Sequence, residues 1–179
     1  MHTKARTATI FVLLAVLATS GCGLGQLFGP PPLNDEEFAE AAREVCSDLK
    51  AKFEPLEEFV LFDVKAEACR QAADALADLE ITEQSAPHGT QLRSSLAELA
   101  DLYDAADKAL SEAATKAGLK EPFTVMITED GTVLAYKDSI FDVMVLEVDR
   151  NLIADLLSAQ EQVREAAMSL NLEDCAIGN

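Results

Sequence analysis

The chain has 179 residues, of which 49% are hydrophobic, enough for one domain with a substantial core. Its 32 acidic against 14 basic residues give a net charge of −18, and no run of Lys or Arg supplies the positive patch that nucleic acid or anionic lipid headgroups require. With no tryptophan and an aromatic share of 6%, a carbohydrate-stacking platform is not expected.

Lys4 and Arg6 precede an uncharged apolar run from Ala8 to Ala18. The run is shorter than the roughly 20 residues a transmembrane helix needs and has the proportions of a secretory signal peptide. In "ATSGC", Ala18, Thr19, Ser20 and Gly21 stand directly before Cys22. This stretch resembles the bacterial lipobox, with Thr19 where that family most often has Leu. The resemblance implies cleavage before Cys22, diacylglycerol on its thiol, and two or three acyl chains there in all. One chain gives only marginal membrane binding, so several make a stable anchor. Residues 1–21 are then the signal peptide, and their loss removes two cations and no acid, taking the net charge to −20. "GLGQLFGPPPLN" follows, with three glycines and three consecutive prolines. That composition favours an extended, semi-rigid spacer, so residues 22–34 are expected to be lipidated cysteine and tether. Residues 35–179 are left as the folded domain.

The first helix is predicted from Asn34, whose side chain can cap while Glu37 completes a capping box and Leu33 staples onto Phe38. Phe38, Ala42, Cys46, Leu49 and Phe53 recur on one helical face, and Pro55 ends or kinks the helix. A second helix is predicted from about Pro55 to Leu79, with Phe62, Ala66, Cys69, Ala73 and Leu76 on one face. "EITEQSAPHGT" is a turn-rich break. The third helix, Thr90 to Ala117, carries Leu92, Leu96, Leu99, Tyr103, Ala106, Leu110, Ala113 and Ala117 in alternating steps of 4 and 3, a seam for neighbouring helices. Gly118 supplies its stop.

In "FTVMITEDGTVLAYK" the period changes to two, and Asp130-Gly131 between two strand-like runs signals a hairpin over about 123–137. A two-residue turn pairs Ile127 with Leu134 and Val125 with Tyr136. Those four and Phe123 then form one apolar face, leaving Met126, Val133 and Ala135 on a second face with no assigned neighbour. The last element is predicted as a helix from Ser139 to Leu170, with a Ser139…Asp142 capping pair and a stripe of Phe141, Val145, Val148, Leu152, Leu156, Ala159, Val163, Ala166 and Leu170. Its first third, "IFDVMVLEV", is β-branched enough to be a third strand instead. The expected fold is mainly α: a four-helix up-down bundle with a β-hairpin between the third and fourth helices.

Beyond Cys22 the chain has Cys46, Cys69 and Cys175. Export favours a disulfide, and an odd count leaves one thiol over. "FAEAAREVC" and "AAMSLNLEDC" resemble the two ends of small exported helical lipoproteins of bacteria, with an early-helix cysteine and a late cysteine. That resemblance implies a Cys46–Cys175 bond. Cys46–Cys69 competes, since a turn near Glu57 sets the two level on adjacent helices, and Cys69–Cys175 or no bond at all stay open.

Few catalytic constellations are present. His88 is the one histidine outside the signal segment and lies in a Pro-Gly loop. No Gly-x-Ser-x-Gly turn or His-Glu-x-x-His motif occurs. "SDLK" (Ser47–Lys50) matches Ser-x-x-Lys without its companion motifs and reads as polar helix surface. Asp101, Asp104 and Asp107, like Glu67, Asp74 and Asp78, are spread along helix faces, whereas calcium needs about six to eight oxygens converging on a point. No catalytic residue, cofactor or metal is therefore assigned.

The expected function is a non-enzymatic cell-envelope lipoprotein, anchored through Cys22 outside the cytoplasm. It binds an unidentified envelope protein, with Met126, Val133 and Ala135 as the contact face. The alternative is a carrier of a small apolar ligand or lipid in a cavity between helices.

Overall fold

The computed structural model describes residues 31–54, 61–119, 123–128, 130–136 and 143–177. The signal segment, Cys22, the tether up to Pro30, and Ser139, Phe141 and Asp142 lie outside the described residues. The fold is mainly helical, with four helices packed in sequence order and a small antiparallel sheet between the third and fourth.

Helix α1 (Asp35–Phe53) starts as its sequence dictates. The Asn34 side chain accepts from the Glu36 and Glu37 amides at 3.0 Å each, and Glu37 accepts from the Asn34 amide at 3.1 Å. Two otherwise orphaned helix-end donors are thereby satisfied by one residue. Phe38, Ala42, Cys46, Leu49 and Phe53 are all buried. Helix α2 (Phe62–Ala77) begins after Leu61 and buries all five expected face residues, while Pro55, where its start is expected, lies outside the described residues. Helix α3 (Pro87–Lys116) starts three residues before Thr90, because Pro87 occupies the first turn, where its missing N–H costs nothing. Its seam is buried from Leu92 to Ala113, whereas Ala117 is exposed beyond the helix. Gly118, at φ +73°, lets Leu119 N–H donate to Ala114 O at 2.9 Å and closes the end.

The sheet has the order β1-β2-β3, with β1 Thr124–Ile127, β2 Val133–Tyr136 and β3 Val143–Leu146. Its register departs from expectation. Ile127 pairs with Val133 and Val125 with Ala135, one residue away from the two-residue-turn pairing. The cause is the turn chemistry. Thr128 N–H donates to Thr132 O, and Gly131 N–H to Thr128 O, at 2.9 Å each. Gly131 at φ +78° sits third in a three-residue loop. Asp130 fastens this loop by accepting from the Thr128 hydroxyl and from the Thr132 hydroxyl at 3.1 Å.

The last segment is not one helix from Ser139. Val143–Leu146 joins β2 as a third strand, and helix α4 (Arg150–Ser169) starts at Asp149, which accepts from Asn151 N–H at 2.9 Å. Val145, expected in the helical stripe, is exposed, and Ile153 takes the core place expected for Leu152, which is half-buried. Leu156, Ala159, Val163, Ala166 and Leu170 keep theirs. Beyond α4, Asn171 adopts a left-handed φ of +54° and reverses the chain into a 3-10 turn at Glu173–Cys175.

Among the described elements α3 packs on both α2 and α4, whereas α1 and α4 share no extended contact; the C-terminal turn packs against both. Cys175 is bonded to Cys46, with Cα atoms 4.6 Å apart, and Cys69 is a buried free thiol.

Candidate functional site

Two surfaces stand out, and both follow from how the sheet and the C-terminal turn complete the bundle. The first is the sheet's outer face. The observed register puts Val125, Val133, Ala135 and Leu146 toward the helices, all buried. Met126, Leu134, Tyr136, Val143 and Val145 share the opposite face. There Met126, Val143 and Val145 are 44%, 45% and 62% exposed. Exposed Thr124 lies on the same face, and the Tyr136 hydroxyl lies 3.8 Å from Met126 Sδ, turned to a neighbour on it. The three expected contact residues are thus divided: Met126 is exposed, but Val133 and Ala135 are core. A one-residue change of register exchanges the two faces of a strand. Leu134, Tyr136, Val143 and Val145 belong to the exposed face instead. The threonines on both sides of "EDG" were the signal for the longer loop, and the valines at alternate positions in "VMVLEV" were the signal for β3.

The second surface is a cleft of about 580 Å³ between α1, α4, the start of α2 and the C-terminal segment. It occupies the gap that α1 and α4 leave between them. The buried Tyr103 of α3 lies at its base, and the Tyr103 hydroxyl accepts from Gln160 Nε2 at 2.8 Å. Phe53 and Phe62 pack beside the Tyr103 ring, with centroids at 6.3 and 5.6 Å. Lys65 Nζ sits 5.7 Å above the Phe53 ring, within cation–π range. Lys50 donates to Asp174 at 2.9 Å and ties α1 to the C-terminal turn, an exposed pair whose hydrogen bond raises the Lys50 pKa. Burial pushes the Tyr103 phenol above its ordinary range, partly offset by Gln160. It pushes the Cys69 thiol up to about 12, so that group is a neutral core side chain rather than a nucleophile.

Two of the acids spread along the helix faces, Glu67 and Asp104, pair with one arginine while staying exposed. Arg70 on α2 reaches Glu67 at 3.2 Å and Asp104 on α3 at 2.5 Å, linking the two helices. Among the described residues no three His, Cys, Asp or Glu side chains converge as a metal site, and no helix is long and apolar enough to cross a membrane. The Cys46–Cys175 bond indicates an oxidising, extracytoplasmic location. No protein-family model, curated protein or solved structure matches this chain.

Proposed function

We propose that this chain is a non-enzymatic cell-envelope lipoprotein, anchored through acyl chains on Cys22, whose helical domain binds a protein partner at the outer face of its sheet. The lipobox-like "ATSGC" supports the anchor, and the disulfide fits the same compartment. The observation that carries the binding role is the exposure of Met126, Val143 and Val145 side by side on one face. An exposed apolar patch on a strongly charged protein marks an interaction surface.

The partner that fits is an extended segment added as a fourth strand along β3, an edge strand of the sheet. Strand addition gains main-chain hydrogen bonds, and apolar residues at alternate positions of the added strand extend the patch. Basic residues flanking that segment suit a cleaved chain of charge −20. In chain order the sheet follows the end of α3 opposite to the start of the domain. Gly89, in the first turn of α3, donates to Asp35 at the start of α1 at 3.0 Å, whereas the sheet follows the other end of α3. At 1.5 Å per residue the 30-residue α3 separates these ends by roughly 45 Å.

Photo-crosslinking in whole cells tests the reading. A probe at Val145 is expected to give one discrete adduct with a different protein, absent when the probe is at Val64 on α2 and lost on Met126→Lys. An adduct of twice the chain's mass makes the surface a self-association face and overturns the heterologous partner. The same adduct from both probe positions overturns the sheet as the contact. Replacing Cys22 with Ser is expected to release the protein from the envelope fraction and abolish palmitate labelling; persistence of either overturns the anchor.

A further inference from the structure

The cleft between α1, α4 and the C-terminal segment carries a charge imbalance among its lining residues, which include two lysines and three acids. Neither lysine is idle: Lys50 is bonded to Asp174 at 2.9 Å, and Lys65 is engaged over the Phe53 ring. Glu54 and Glu173 are exposed, and among the described residues neither forms an ion pair. Both stand close enough to Lys50 to add to the rise in its pKa, of which Asp174 is the main cause. Three carboxylates therefore share that ammonium, and two of them have no cation of their own. Like charges gathered in one place repel, and a further cation relieves them. The rest of the wall is largely apolar. Leu157 of α4 is 44% exposed there, with half-buried Ile127 at the end of β1 and buried Ile177. Tyr103 at the base is 1% exposed and closed, so an occupant meets the upper wall and the exposed acids.

We infer that this cleft is a docking site for a basic segment of a partner protein, with an aliphatic side chain against Leu157, Ile127 and Ile177 and flanking Lys or Arg side chains paired with Glu54 and Glu173. An apolar anchor in a pocket, ringed by polar contacts, is the layout in which a few residues carry most of a binding energy. Lys and Arg suit the ring because their stems lie along apolar surface while their heads stay in water. Charge complementarity also sets the kind of partner. A second copy of this chain would bring its own net charge of −18 against the same acids, and repulsion would oppose it. The docking uses neither Met126 nor Val145, so it stands apart from the outer face of the sheet.

Fluorescence anisotropy of the purified full-length protein with a dye-labelled peptide, Gly-Lys-Lys-Leu-Leu-Lys-Lys-Gly, decides the matter at physiological salt. The peptide is expected to bind one site with a Kd below about 100 μM. A version with glutamate for each lysine should not bind, and one with serine for each leucine should bind at least tenfold more weakly. Glu54→Gln/Glu173→Gln and, separately, Leu157→Ser on an exposed wall position are each expected to weaken the first peptide at least tenfold with helix content unchanged. Glu36→Gln/Glu40→Gln removes the same charge at the other end of α1, beyond the screening length, and is expected to change the Kd by less than about twofold. Val145→Ser on the sheet should leave it equally unmoved. Absence of saturable binding, equal losses in the two double variants, or an affinity indifferent to Leu157→Ser overturns the inference. Loss with Val145→Ser alone would move the peptide to the sheet and overturn the cleft as its site.

Discussion

Cys46 and Cys175 stand 4.6 Å apart, Cα to Cα, although 129 residues separate them in sequence. The bond fastens the chain's last turn into the gap between α1 and α4, where that turn lines the cleft. Closing so long a loop limits the unfolded ensemble, and on chain entropy alone contributes at most about 4–5 kcal/mol. The Cys46→Ala/Cys175→Ala variant is therefore expected to unfold at a lower urea midpoint. Limited proteolysis of that variant should cut first after the end of α4. An unchanged midpoint and cleavage pattern would mean that packing alone holds the segment.

Gly89 is expected to resist replacement. A Cβ there would meet Phe38 Cδ1 at 2.8 Å and Cγ at 2.9 Å, and Phe38 is fully buried. Alanine gains about 1 kcal/mol of helix propensity over glycine, but overpacking a fixed ring costs about 1–3 kcal/mol. Gly89→Ala should thus be neutral to destabilising in denaturant unfolding, whereas a gain of a full 1 kcal/mol would show that the ring moves freely.

Two neighbours on β3 should respond in opposite ways. Leu146 is 4% exposed and Val145 is 62% exposed. Leu146→Ala is expected to cost about 2–5 kcal/mol, as other large-to-small core changes do, and Val145→Ala to stay within about 0.5 kcal/mol. Equal costs would place β3 in the other register.

Alkaline pH should weaken the fold. Cys69 is shifted from an ordinary 9.0 up to about 12, and Tyr103 is shifted in the same direction. A group whose folded pKa is raised contributes stability that is whole below its unfolded value and falls as pH rises toward the folded one. The Cys69 contribution is thus intact below pH 9 and declines between 9 and about 12, with a limiting slope of about 1.4 kcal/mol per pH unit for one proton. Urea midpoints measured from pH 8 to 11 should fall, and Cys69→Ala should flatten the slope whatever its effect at pH 8. A slope identical in the variant would assign the alkaline loss elsewhere.

The helices were legible because each rests on local chemistry that few tertiary contacts override. Asn34 with Glu37, the Leu92–Ala113 seam and Gly118 each fixed an end or a face. The sheet was less so. "EDG" between Thr128 and Thr132 suits a three-residue loop as readily as "DG" suits a two-residue one, and that single residue exchanged Val133 and Ala135 with Leu134 and Tyr136. Residues 143–148 carry both helical spacing and β-branching, so pairing with β2 decided the outcome. The cleft left almost no trace in sequence. Tyr103 occupies an ordinary seam position, and only its hydroxyl, at a place where Leu would pack, hinted that a polar partner such as Gln160 had to face it.

The unequal helix lengths have a last consequence. With 19 and 16 residues against 30, α1 and α2 fall short of α3 by roughly 16–21 Å at 1.5 Å per residue. The four-residue strands act as cladding for what those helices leave bare. Evolution is therefore constrained on one side of each strand by the need to keep α3 dry. The other side carries no such duty, so substitutions there leave the packing on the helices untouched.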